Sequence, residues 1–355
     1  MPCMMQLMQH ITKKVLLAVG VVFLAVGLGT VHVAMAEQKK EVNVYSARSH
    51  DLIVPILDAF TRQTGITVNL ITGKDDALLK RIAQEGVATP ADIFITVDAG
   101  RLFRAKEAGI LQPVSSQVLE RNIPAALRDP DGQWFGLSKR IRTVVYAKDR
   151  IQPADLSTYE DLANEKWRGR LCVRSSDNIY NQSLVAGMIA ARGEQATGLW
   201  ISDLVANLAR RPQGNDRAQI KAVASGECDL AIVNTYYYDI MQQSNNPVEQ
   251  TAAAAVALVW LNQQGRGAHV NISGAGITRH AKNKENAVQL LEFFTTEFAQ
   301  RFYADSNYEY PAVPGIEPSA TVATWGDVTQ DTAHLLALGP NNKRAVQLMD
   351  QYGWR

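Results

Sequence analysis

Three tyrosines in a row, Tyr236, Tyr237 and Tyr238 in "AIVNTYYYDIM", follow an apolar run that reads as a buried strand. A phenol, with a pKa of about 10, is a poor general base at neutral pH. Ionised, the same oxygen is a hard anionic donor suited to a small, highly charged cation, and such a cation deprotonates it on binding. Three phenolates would cancel the charge of a ferric ion. Aromatic residues are also ordinary strand and core residues, so the chemistry requires that at least two hydroxyls converge. Neighbours in a strand point to opposite faces. Convergence therefore needs the strand to end here, and Asn234 and Thr235 are residue types that start turns and cap helices.

Other chemistries find less support. Beyond residue 36 the histidines are His50, His269, His280 and His334, with no helical HxxxH pair and no cysteine cluster at zinc spacing. "GKDDALLK" reads as a solvated helix start rather than a calcium loop. No phosphate-cradling glycine motif is present, and Ser183 in "NQSLVAG" lacks the Gly-x-Ser-x-Gly frame of a nucleophile elbow. With no acid, base and nucleophile set, the chain is not read as an enzyme.

The elements that must position the tyrosines alternate. "EVNVYSA" is a strand and "LIVPILDAFTRQTG" a helix, starting near Val54 with Pro55 in its first turn; "ITVNLI" is again a strand. Helix "DALLKRIAQEG", strand "ADIFITV" and helix "AGRLFRAKEAG" follow, and the pattern starts again from "GRLCVRSS" to "CDLAIVN". This order predicts an α/β protein with a mostly parallel sheet flanked by helices. The length predicts two lobes, and "GAHVNISGAGI" is expected to return the chain to the first, so that more than one crossing acts as a hinge. "NKENAVQLLEFFTTEFAQRFYAD" predicts one helix with Leu290, Leu291, Phe294 and Phe298 on a single face and Asn283 as its N-cap. Ligands in open α/β sheets collect at the carboxyl ends of strands. Three polar clusters, 48–50, 174–181 and 234–239, fall at such ends and are expected to face one cleft.

The first 36 residues carry Lys13 and Lys14, an apolar run and Ala34-Met35-Ala36, the pattern of a secretory signal cleaved after Ala36. Cleavage changes the formal balance from 36 basic and 35 acidic residues to 34 (36 less Lys13 and Lys14) and 35. A chain so near neutrality gives no reason to expect nucleic acid or an anionic membrane as partner. Of the cysteines only Cys172 and Cys228 remain, each before a strand-like run. Sequence leaves open whether they pair in an oxidising compartment or stay as two buried thiols.

Taken together, "VNVYSARSHDLIVPILDAFTRQTGI", "WFGLSKRIRTVVY", "RSSDNIYNQSL", "AVASGECDLAIVNTYYY" and "NYEYPAV" resemble the ferric-iron-binding periplasmic proteins of ABC transporters. The resemblance implies a two-lobed periplasmic-binding-protein fold of the second class. Its lobes would comprise residues 37–140 with 267–317 and 141–266 with 318–355, closing on Fe(III) in the cleft between them. It implies Tyr180, Tyr236 and Tyr237 as ligands, with Tyr238 as a packing neighbour. Some family members have His-Tyr in the first loop where this chain has Ser49-His50. His50 is taken as a further metal ligand, with water or a synergistic anion such as carbonate as the alternatives. Arg140, with Arg142 close behind, matches the arginine that contacts a bound anion or a phenolate in relatives. The implied partners are a membrane permease and its ATPase, the implied location the periplasm, and the implied state a monomer. Two alternatives remain: the same fold binding a small organic anion, polyamine or phosphonate, or a secreted enzyme.

Overall fold

The computed structural model describes residues 40–355; the expected signal segment lies outside the described residues. Strand β1 (Glu41–Ser46) buries Val42 and Val44, and α1 (Val54–Thr64) begins as the sequence predicts, with Pro55 in its first turn. Gly65 ends α1 in the left-handed region, φ 72°, which glycine adopts without a side-chain clash. The chain continues through β2 (Thr67–Thr72), α2 (Asp75–Glu85), β3 (Ile93–Val97), α3 (Ala99–Glu107) and α4 (Gln117–Asn122). A long strand, β4 (Phe135–Ala147), then leads to β5 (Leu171–Cys172), α5 (Ile179–Arg192), α6 (Glu194–Ala206), α7 (Asp216–Ala224) and β6 (Leu230–Asn234). After α8 (Thr235–Gln242), α9 (Pro247–Ala255) and β7 (Val256–Val259), β8 (Ala268–Ile277) precedes α10 (Lys284–Phe293) and α11 (Glu297–Asn307). Short β9 (Tyr310–Pro311), α12 (Ala320–Ala323) and β10 (Gln330–Asp331) lead to the terminal helix α13 (Leu338–Gln351).

The strands lie in the order β2-β1-β3-β8-β4-β6-β5, with β10 beside β8 and both β7 and β9 beside β4. Strands β1, β2 and β3 are parallel, as are β5 and β6, but β8 pairs antiparallel with β3 and β4, and β4 pairs antiparallel with β6, β7 and β9. The sheet is therefore mixed, not mostly parallel. The cause is the double crossing: β4 runs from the first half of the sheet to the second and β8 runs back beside it, and two neighbouring strands crossing in opposite senses must be antiparallel. The partner switch in β4 falls between Ile141, opposite Val270 of β8, and Arg142, opposite Asn234 of β6.

The main core packs on both halves of the sheet, and a smaller one, including Val145, Val223, Val233, Tyr238 and Met241, lies behind β6. Cys172 and Cys228 form a disulfide with a Cα–Cα separation of 5.9 Å, joining β5 to the residue pair that precedes its parallel neighbour β6. One sequence expectation fails near the carboxyl end. α10 and α11 are two helices, and Phe298 is 53% exposed rather than on the buried face of Leu290, Leu291 and Phe294. The Thr295 and Thr296 hydroxyls donate to the carbonyls of Glu292 and Phe293, both at 2.7 Å, and Thr296 then accepts from the amide of Ala299, so the pair ends one helix and caps the next. Asn283 stands at the N-cap of α10 without capping it; its amide group donates instead to Asp92 at 2.9 Å.

Candidate metal centre

Strand β6 stops at Asn234, and Tyr236 and Tyr237 occupy the first turn of α8. The strand-to-helix junction lets adjacent phenols share a side, with ring centroids 4.3 Å apart. Tyr180 lies in the first turn of α5, and the Tyr236 hydroxyl donates to the Tyr180 hydroxyl at 3.3 Å. All three are half-buried. Tyr238 turns the other way into the core, its hydroxyl donating to the Val256 carbonyl at 3.3 Å and accepting from Gln242 at 3.0 Å, its ring against Trp325.

Burial, and then the neighbouring phenols of Tyr180 and Tyr237, push the Tyr236 pKa well above the usual value, while Arg140 acts against the shift. Tyr237 is pushed up to about 12, chiefly by burial and then by Tyr180 and Asp216, with Arg174 opposing. Both phenols therefore hold their protons at neutral pH until something stronger displaces them. Two guanidinium groups stand close enough to favour that displacement. Arg140, buried on β4, lies 6.0 Å from the Tyr236 ring centroid, and Arg174 lies 5.8 Å from that of Tyr180. Burial opposes the charge on Arg140, but Glu309 and the phenols of Tyr236 and Tyr180 outweigh it.

Arg140 is held in place from the first half of the sheet. It donates to the Ser273 hydroxyl and lies 3.7 Å from Glu309, which also pairs with Arg48 at 3.0 Å and accepts from Ser138. Arg48 donates to the same Ser273 hydroxyl at 2.6 Å. His50 behaves differently. It opens a short 3₁₀ turn, its side chain is 69% exposed, and Nδ1 lies 3.7 Å from the Asp51 carboxylate. Among the described residues it makes no hydrogen bond to the phenols.

A polar cleft of about 420 Å³ opens beside Tyr180 and Tyr237. Ala47, Asp75, Val97 and Arg101 line it from the first half, and Arg174, Tyr180 and Tyr237 from the second. Of the three polar clusters, 174–181 and 234–239 line this cleft, whereas from the first segment Ala47 reaches it and residues 48–50 do not. Among the described residues no group of three or more His, Cys, Asp or Glu is suited to a metal ion. Ser183 has no nucleophile's setting; it donates to the buried Asp98 carboxylate at 2.7 Å. Sequence reasoning missed Asp216, Glu309 and Ser273. Asp216 reads as an ordinary acidic residue in the first turn of a helix, where it suits the helix dipole, and nothing in its spacing signals the partners it finds.

A family model described as bacterial extracellular solute-binding protein matches residues 47–301. The chain belongs to that family. This solute-binding protein is 48% identical over 318 residues to iron uptake protein A1 of Synechocystis sp., an alignment covering 90% of this chain and 88% of that protein. Its fold superposes on the Trichodesmium protein IdiA (FutA) in complex with iron and citrate, with a TM-score of 0.87, 47% identity and coverage of 89% of this chain and 100% of that one. The ferric binding protein from Campylobacter jejuni gives a TM-score of 0.83 at 38% identity, over 88% of this chain and 100% of that one. The solute-binding protein therefore has their two-lobed α/β fold, with β4 and β8 as the strands common to both halves.

Proposed function

We propose that this solute-binding protein captures Fe(III) in the periplasm through the phenolates of Tyr180, Tyr236 and Tyr237 and delivers it to the permease and ATPase of an ABC importer. The observation that carries the reading is the convergence of three phenols from two segments, with the Tyr236 and Tyr180 hydroxyls 3.3 Å apart. The relatives reported above are named for iron uptake or ferric binding. Ferric iron displaces the phenolic protons, and the three anionic oxygens cancel its charge. Arg140 and Arg174 lower the cost of ionising the phenols.

The partner switch of β4 between Ile141 and Arg142 supports lobes of 37–140 with 267–317 and 141–266 with 318–355, and hinge closure over the cleft. Closure would bring His50 from the first lobe as a further ligand, with water or a synergistic anion such as carbonate as the alternatives; Ala47, three residues earlier, already lines the cleft. The cleft is larger than one ion needs and carries Arg101 and Arg174, which favours an organic anion arriving with the iron. The same observation is what a receptor for a small organic anion alone would offer, so the two readings need separating.

Titration of the mature protein with ferric citrate, followed by visible phenolate-to-iron absorption and by calorimetry against citrate alone, separates them. An absorption band saturating at one iron per protein is the expected result. A colourless protein that binds the anion without iron overturns the proposal.

A further inference from the structure

We infer that Arg142 is the positioning residue of the metal centre, holding the segments that carry Tyr180, Tyr236 and Tyr237 in one arrangement before any ion arrives. The inference rests on the Fe(III) reading above. Arg142 is 1% exposed. Its Nη1 donates to Asp216 and to the side-chain oxygen of Asn234, both at 3.0 Å. Its Nη2 donates to the side-chain oxygen of Asn181 at 2.5 Å and to the carbonyl of Ile232 at 3.4 Å. Asn181 follows Tyr180 directly, and Asn234 precedes Tyr236 by two residues.

The partners of the fork bind onward in the same sense. The Asn181 amide group donates to the carbonyls of Arg174 and Ser175 at 2.9 and 3.1 Å, fixing the loop that enters α5. Asp216 accepts from the backbone amide of Asn234 at 3.0 Å and from Arg174, whose guanidinium faces Tyr180. Asn234 stands at the N-cap of α8, where its side chain would ordinarily accept from the helix amides. It does not; its oxygen takes Arg142, and its NH₂ points to the Tyr236 hydroxyl at 3.5 Å.

An ordinary buried ion pair would need only Arg142 and Asp216. Here the fork also reaches two buried asparagines beside the phenols and the Ile232 carbonyl, while Nε is left without a partner. The Nη contacts therefore set the orientation of the guanidinium. A lysine keeps the charge but cannot span these acceptors from a single nitrogen.

The test compares wild type, Arg142→Lys and the milder Asn181→Ala by ferric affinity in citrate competition, by the charge-transfer band per bound iron, and by the thermal midpoint of the iron-free protein. Loss of a partner outside the metal's direct ligands typically weakens binding about 10- to 100-fold. Arg142→Lys is expected in that range, with a weakened, shifted band. Asn181→Ala is expected to lose less, and Tyr180→Phe to cost less on the Asn181→Ala background than on wild type. Wild-type affinity and band in folded variants overturn the inference, as does an affinity loss that follows the thermal midpoint with an unchanged band. Should Arg142→Lys fail to fold, the Asn181→Ala cycle decides alone. A wild-type protein that never colours with iron overturns the Fe(III) reading itself, whereas a coloured wild type with indistinguishable variants overturns only the role of Arg142.

Discussion

Tyr236 and His50 occupy comparable places, each a few residues beyond the carboxyl end of a strand, β6 and β1, in the two halves of the sheet. Their surroundings differ. Two residues before Tyr236, Asn234 is fixed through its backbone amide and both ends of its side chain. Two residues before His50, Arg48 is equally fixed, by Glu309 and Ser273, but the constraint stops there and His50 projects into solvent. Organised donors lose little freedom on binding, whereas an exposed side chain must be ordered at a cost. The second half of the sheet therefore presents phenols already held in place for the proposed site, whereas the first presents an exposed loop still free to adapt.

Removing the built side should have the largest effect. Tyr236→Phe with Tyr237→Phe is expected to lower ferric affinity by more than the roughly 100-fold that a change outside the direct ligands causes, with loss of the visible band in the same titration. Acid should follow. Because burial holds the phenols of Tyr236 and Tyr237 above their usual pKa, they are protonated across the neutral range and each must release a proton to bind. Affinity then falls as pH falls, by up to about tenfold per pH unit for each phenol that ionises. Citrate competition between pH 5 and 8, approximate limits set by ferric solubility and fold stability, gives the slope. Tyr237→Phe should flatten it by one proton; an unchanged slope would place the protons elsewhere.

The disulfide bears on the same half. It closes a loop of sequence separation 56 and joins β5, which precedes Tyr180, to the residues just before β6, which precedes Tyr236. Replacing Cys172 and Cys228 by Ala is expected to cost about 2–4 kcal/mol in chemical denaturation. If the comparison holds, iron affinity in the remaining folded protein changes less than stability does, because Arg142, Asn181 and Asp216 still hold the turn. His50→Ala should have the smallest effect, less than the roughly tenfold at the lower end of losses at metal sites. An equal loss from His50→Ala and Tyr237→Phe would break the comparison, showing that the exposed loop grips the ion as firmly as the turn does.

Local signals were read well. The start of α1 at Val54 and the end of β6 at Asn234 each depend on a few consecutive residues, and strand and helix periodicity carry that information; the inward turn of Tyr238 agrees with what the family resemblance implied. The break between α10 and α11 escaped because apolar spacing continues through Phe298, while the stop is made by hydroxyls of Thr295 and Thr296 bonding back to their own helix. The antiparallel centre of the sheet escaped for another reason: strand pairing is a relation between distant segments, and the alternation of strands and helices looks alike whichever way two crossings run.

The metal centre divides along the same line. The amino-acid sequence by itself supplied the donor type of the proposed site, a run of phenols at the end of a strand whose oxygens, once ionised, suit a hard cation. It also determined that Tyr236 and Tyr237 sit where regular strand geometry stops. Only the tertiary structure decided that Tyr180 meets them, that Arg140 rather than Arg142 faces a phenol, and that Arg142 ties the three segments together. Those contacts join Arg142 to residues 74, 92 and 39 positions away. A guanidinium's choice among such partners depends on which buried acceptors the folded chain leaves within reach, and that is settled only when the sheet has closed around them.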